Sequence, residues 1–200
     1  MEYILSYFIF TLVIASAFNL VRNRVMNYLL FIPFLANQIF FNYFCYQNLD
    51  STITEYFRFD YMGFIFITII TIISIPAVIH TIIYSEDRKN SLHQIQIHHA
   101  ALILLIMSMT GSLIANHYGM LWSFLEATTV ASALLIYFDR NNIALEAAWK
   151  YFFVSSIGLA LAYVGILFLG IAGQASGHYD LTITTLPDKI DEMSPLWLKI

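Results

Sequence analysis

The chain has 200 residues, of which 60% are hydrophobic and 11% charged, and its mean hydropathy is +0.72. Soluble domains hold roughly 45–50% apolar and ~25% charged residues, so this composition excludes a water-soluble globule and describes an integral membrane protein. The formal net charge of −4 reports acidic loops and not a partner. Nucleic acid is not an expected partner, and the single cysteine, Cys45, leaves neither an intrachain disulfide nor a thiolate metal cluster to build.

Stretches of about 20 apolar residues, each able to cross ~30 Å of hydrocarbon, predict an all-α transmembrane bundle of six spans. The first runs from about Glu2 to Val21 and stops at Arg22 and Arg24. No Lys or Arg precedes it and no small-residue cleavage pattern follows, so it reads as a span and not as a cleaved signal peptide. The second covers about Asn27 to Gln47, with Pro33, Asn37 and Asn42 inside it. A polar loop, Asn48–Asp60, leads to the third, about Tyr61 to Tyr84, which Pro76 interrupts and which carries His80 near its end. Each proline is expected to free a backbone carbonyl and kink its helix. After the charged patch Ser85–Lys89, the fourth span occupies about Gln96 to His117. The fifth follows directly, and the short loop Asp139–Leu145 precedes the sixth, about Glu146 to Ala172. From Gly173 the tail is polar and turn-rich up to Ser194-Pro195, where the apolar run Leu196–Ile200 begins.

Alternate loops place Arg22, Arg24, Arg88, Lys89, Arg140 and Lys150 on one side of the membrane and Arg58, Lys189 and Lys199 on the other. Positive charge collects on the cytoplasmic side, which puts both termini and the tail on the outer face.

Glu126 is the only charged residue of Tyr118–Phe138, a run of spanning length. A carboxylate in hydrocarbon must be neutralised, paired or bathed in internal water, and two readings stand: a proton or ion pathway, or a hydrogen-bonded packing role. Trp122, Ser123, Thr129, Val130 and Ala133 share its face, and Thr128 and Thr129 are expected to bond back to their own helix. Lys150 lies about one turn into the sixth span, where its stem either snorkels to the interface or stays in the membrane. Its depth argues against a direct pair with Glu126, and water between them or a second carboxylate such as Glu146 would be needed to couple the two. His93, His98 and His99 read as solvated or interfacial. His80 is the best histidine for a proton relay, or else a packed ring. The small residues Ser155, Ser156, Gly158, Ala160, Ala162 and Gly165 permit close helix approach. Nothing matches an HExxH, P-loop or dinucleotide fingerprint.

The stretch from about His117 to Gly170, with LWSFLEATTVASALLIYF and then LEAAWKYFFVSSIGLALAYVGILFLG, resembles the antiporter-like membrane subunits of respiratory complex I, membrane-bound hydrogenases and Mrp antiporters. LEATT and LEAAWKYF are most similar to the F-type membrane subunits of hydrogenase-4. The resemblance implies a proton-translocating subunit in which Glu126 is the carboxylate of a half-channel. In that family the partner is a lysine on a broken seventh helix, within inverted five-helix repeats that begin at the fourth span. Residues 1–95 would then be an N-terminal three-helix segment, 96–172 the start of the first repeat, and 173–200 an outer tail leading toward a seventh helix, with MSPLWLKI as its approach. Since that helix lies beyond Ile200, the expectation is an N-terminal portion of a longer subunit, or a chain completed by a second polypeptide.

The resulting expectation is a non-catalytic proton-pumping subunit of a hydrogenase-4 or complex-I-like oxidoreductase in the inner cell membrane. Glu126, Lys150 and His80 would move protons, and the chain would bind no cofactor or metal itself. Its partners would be the lipid bilayer and the other membrane subunits of a hydrogenase or quinone reductase. The alternatives are an Mrp-type sodium/proton antiporter subunit and a structural scaffold.

Overall fold

A computed structural model describes residues 2–87, 91–175 and 181–186. Among them, six helical stretches are long and apolar enough to cross a membrane, Glu2–Leu20, Arg24–Gln47, Tyr61–Glu86, Leu92–Ile114, Tyr118–Asp139 and Asn142–Gln174. They match the six expected spans in number and order, with several ends shifted along the chain. The elements are α1 (Glu2–Leu20), α2 (Arg24–Leu29), α3 (Phe31–Gln47), β1 (Ser51–Thr54), β2 (Phe57–Phe59), α4 (Tyr61–Asp87), α5 (Leu92–Ile114), α6 (Tyr118–Ile136), a 3-10 turn (Tyr137–Asp139) and α7 (Asn142–Ala175).

Local signals set the helix ends. Asn23 opens α2 by accepting from the Val25 amide. Ser91 and Gln94 form a reciprocal capping box at the start of α5. The Asn141 side chain accepts from the Ala144 amide at the head of α7, after Arg140 turns the chain with φ 48°. The second span is two helices and not one. Pro33 has no N–H, and its ring crowds the carbonyl four residues back, which belongs to Leu29, the last residue of α2. The break therefore falls before the proline that causes it. Pro76, by contrast, sits inside an unbroken α4, so the expected interruption is not a break.

The loop Asn48–Asp60 is not irregular throughout. It folds into an antiparallel hairpin of β1 and β2 with an irregularity between Thr52 and Thr54. Phe57 pairs with Ala115, and His117 pairs with Thr182. The Asn116 amide donates to Tyr56 O, and the Ile183 amide donates to Asn116 O. The link between α5 and α6 thus lies between the hairpin and residues 181–186, and all three share one end of the bundle, as an alternating up-and-down path requires. The approach to a seventh helix, MSPLWLKI, lies outside the described residues, as do Arg88, Lys89, Lys189 and Lys199. The patch begun at Ser85 is helical as far as Asp87.

α5 is the central post, packed on α1, α4 and α6, while α7 leans mainly on α6. Gly111 lets α6 approach: a β-carbon there would stand 2.4 Å from the Phe124 ring. One apolar cluster, around Phe18, Phe31, Phe34, Val78 and Ile103, fills the end near the α4–α5 connection, and a second, around Tyr7, Phe41, Phe59, Ile67 and Ile114, fills the hairpin end. In lipid, apolar burial between helices gives little drive, and interhelical hydrogen bonds and close packing supply specificity. Gln38, with no exposed surface, is such a joint. It accepts from Tyr7 Oη at 2.5 Å and donates to Thr71 Oγ1 and Thr110 Oγ1, each at 3.3 Å, tying α1, α3, α4 and α5 together.

Candidate functional site: the Glu126 helix and its neighbours

Glu126 stands in the middle turns of α6, half-buried, eight residues after Tyr118 and ten before Ile136. Among the described residues its carboxylate has neither a hydrogen bond nor an ion pair. Trp122, one turn away, donates from Nε1 to Leu159 O at 2.8 Å and packs its ring on Tyr163. Val130, one turn the other way, lines a cavity of about 220 Å³ with Ala148, Trp149 and Phe152 of α7. Glu126 therefore lies on the side of α6 turned to α7. The opposite side carries Phe124 against Gly111 and the buried Ala131.

The hydroxyls near Glu126 do not turn to its carboxylate. Thr128 and Thr129 both donate to Leu125 O within their own helix, as expected, and Ser123 likewise donates to Gly119 O. Thr129 is buried, and Ser123 is exposed. An apolar cavity on this side, about 590 Å³, is lined by Trp122, Leu125, Leu159 and Leu169 and does not include Glu126.

Lys150 is deeper in its helix than expected, because α7 begins at Asn142 and not near Glu146. It pairs with Glu146 one turn back, and both side chains are exposed. The Trp122–Leu159 bond puts those residues level in the antiparallel pair. Glu126 is then level with about residue 155, and Lys150 lies ~7 Å along the axis toward the 3-10 turn. The structure brings Lys150 to Glu146 and not to Glu126. His80 is exposed on α4 and stacks on Tyr84, whose ring meets Phe138 at the end of α6.

The adjacent histidines overturn the solvated reading. Both lie inside α5, and His99 has no exposed surface, because α5 starts at Leu92, several residues earlier than the apolar run suggested. The signal was present: Ile95, His99, Leu102 and Ile106 recur on one helical face, and all four are buried. The small-residue face of α7 is also not used as expected. A β-carbon at Gly158 or Gly165 would meet nothing within 4 Å, so the close approach they allow is not made by the described residues.

Apolar helices of spanning length joined by buried polar contacts define a multi-pass α-helical membrane protein. No protein-family model matches the chain. It is 25% identical over 124 residues to a hydrogenase-4 component F homolog of Methylacidiphilum infernorum (isolate V4), covering 60% of this chain and 26% of that protein. It is 38% identical over 93 residues to NADH-ubiquinone oxidoreductase chain 2 of Struthio camelus, covering 44% and 26%. It is 30% identical over 115 residues to a Staphylococcus aureus (strain MRSA252) protein described as antiporter subunit mnhA2, covering 57% and 14%. The chain is thus similar to antiporter-like membrane subunits of complex I and Mrp systems, the resemblance its sequence suggested. It spans about a quarter of the length of the first two of these proteins and less of the third.

Proposed function

We propose that the chain is part of a proton-translocating membrane subunit of a hydrogenase-4 or complex-I-like assembly, with Glu126 as its intramembrane proton carrier. The observation that carries this reading is a lone acid near the middle of a spanning helix with no described partner. A carboxyl kept only for packing would be expected to show the hydrogen bond it was kept for. Without one, its cost in hydrocarbon is offset by a role that needs its proton.

Lys150 is the mobile cation in this scheme. An ammonium approaching a carboxylate favours its charged form and expels the proton, and withdrawal reloads it. Lys150 pairs with Glu146, which in this scheme would be its withdrawn position. His80, exposed near the α4–α5 connection, would exchange protons with solvent. Residues 1–95 support the start of an antiporter-like repeat at 96–172, with the positive loops facing the cytoplasm across the inner membrane. Redox partners would lie in other subunits. The S. aureus relative supports a second reading, an Mrp-type sodium/proton antiporter subunit. Copurification of hydrogenase or quinone-reductase subunits separates the two.

The test is proton pumping by the assembled complex in lipid vesicles. Glu126→Gln keeps hydrogen bonding and removes titration, and is expected to reduce pumping to background while assembly persists. Undiminished pumping in that variant removes the proposal.

A further inference from the structure

A buried imidazole at the opposite side of the bundle from α7 has a hydrogen-bond arrangement that accommodates two protonation states. His99 has no exposed surface. The rings of Phe18 and Phe31 stand edge-on to it, with centroids 5.5 and 4.9 Å away. Both of its nitrogens nonetheless have polar neighbours. Nδ1 lies 3.4 Å from Asn27 Oδ1, and Nε2 lies 3.5 Å from Ser85 Oγ. Asn27 uses its amide nitrogen on Phe18 O, which turns its oxygen to the ring, so Nδ1 carries a hydrogen. Ser85 has two choices. Its hydroxyl can donate to a bare Nε2, or it can donate to Thr81 O at 2.6 Å and offer a lone pair to Nε2–H.

We propose that His99 is a proton-binding site, in which Nε2 takes up a proton from solvent while the Ser85 hydroxyl rotates from the ring to the Thr81 carbonyl. One donor–hydrogen bond breaks on the proton source, one N–H bond forms, and the positive charge stays on the imidazolium. No heavy atom moves, and no buried polar group loses its partner in either state, so proton uptake costs the desolvation of the charge but no lost hydrogen bond. The groups that face the ring come from every element packed against it. α1 and α3 present Phe18 and Phe31, α2 presents Tyr28 with centroids 5.8 Å apart, and α4 presents Ser85. On α5 itself His98 is the nearest titratable group, its centroid 6.4 Å away. His98 Nδ1 is buried with no hydrogen-bond partner among the described residues, and its ring packs on Phe138, which also meets Tyr84 beside His80. His98 is the step between solvent and His99.

This site does not rest on the role given to Glu126, and its test reads the ring directly. The full chain, labelled with ¹⁵N-histidine and placed in lipid nanodiscs, is followed by ¹⁵N NMR from about pH 9 to about pH 5, the range in which an imidazole changes charge. Sequential assignment identifies His99, and loss of its signals in His99→Gln checks it. The expected result is conversion from a ring with one N–H to a ring with two. Ser85→Ala is expected to lose the doubly protonated form over the same range, because Nε2–H then has no acceptor. Ser85→Thr is expected to keep it, and Glu126→Gln to leave it unchanged. A His99 ring that stays in one protonation state in the wild-type chain overturns the proposal, as does a Ser85→Ala chain that titrates like wild type. The wild-type titration decides even if a variant does not fold.

Discussion

Gln38 and His99 show how single polar side chains act inside this bundle. Each is fully buried, and each is held by residues far along the chain: Gln38 by Tyr7, Thr71 and Thr110, and His99 by Asn27 and Ser85. Deleting a partner strands an atom that lipid cannot solvate. Tyr7→Phe keeps the ring stacked on Phe41 and removes only the donor to Gln38. It is expected to destabilise the chain by about 0.6 kcal/mol and by no more than about 2, measured by reversible unfolding in mixed micelles. Lys150 and Glu146 are the contrasting case. Because both are exposed, Lys150→Ala is expected to leave the unfolding midpoint nearly unchanged while reducing proton pumping by the complex. Equal pumping would remove Lys150 from the mechanism.

At the scale of elements, two kinds of glycine are present. Gly111 on α5 faces the Phe124 ring of α6, which in turn stacks on Phe8 of α1 with centroids 5.3 Å apart. The ring has little room to retreat. Gly111→Ala is expected to cost about 1–3 kcal/mol through overpacking. Gly158 on α7 has open space where a β-carbon would be. Gly158→Ala is expected to be neutral, or to stabilise the isolated chain by about 0.5–1 kcal/mol through helix propensity. The same unfolding experiment on the two variants gives opposite signs if the close α5–α6 contact is real. Similar signs would contradict it. The sequence stripe of small residues drew attention to α7, but helix contacts that need a glycine fall elsewhere, at Gly111 against the Phe124 ring and at Gly63 against the Leu113 carbonyl.

For the whole molecule, the order of the spans predicts sided chemistry. The hairpin, the α5–α6 link and residues 181–186 hydrogen-bond to one another, so they must lie on one face, with the α4–α5 connection and the 3-10 turn on the other. In a Cys45→Ser background, Glu55→Cys and Asn142→Cys are expected to react with an impermeant maleimide from opposite sides of sealed vesicles. Labelling of both from one side would refute the six-span path. Native Cys45, fully buried in α3, is expected to resist the same reagent until the chain is unfolded.

The sequence by itself determined the number, order and approximate limits of the spans, because hydrocarbon imposes a length and a composition on each crossing separately. It also made Glu126 stand out, since one charge in an apolar run needs no neighbour to be noticed. Tertiary structure alone decided what each polar group meets. The spans are apolar almost all round, so the sequence pattern does not fix how far each helix rotates or slides against the next. That rotation is what buries His99 against Asn27 and Ser85 and leaves Glu126 facing α7 with no described partner, whereas the Lys150–Glu146 pair, one turn apart on α7, follows from spacing along one helix.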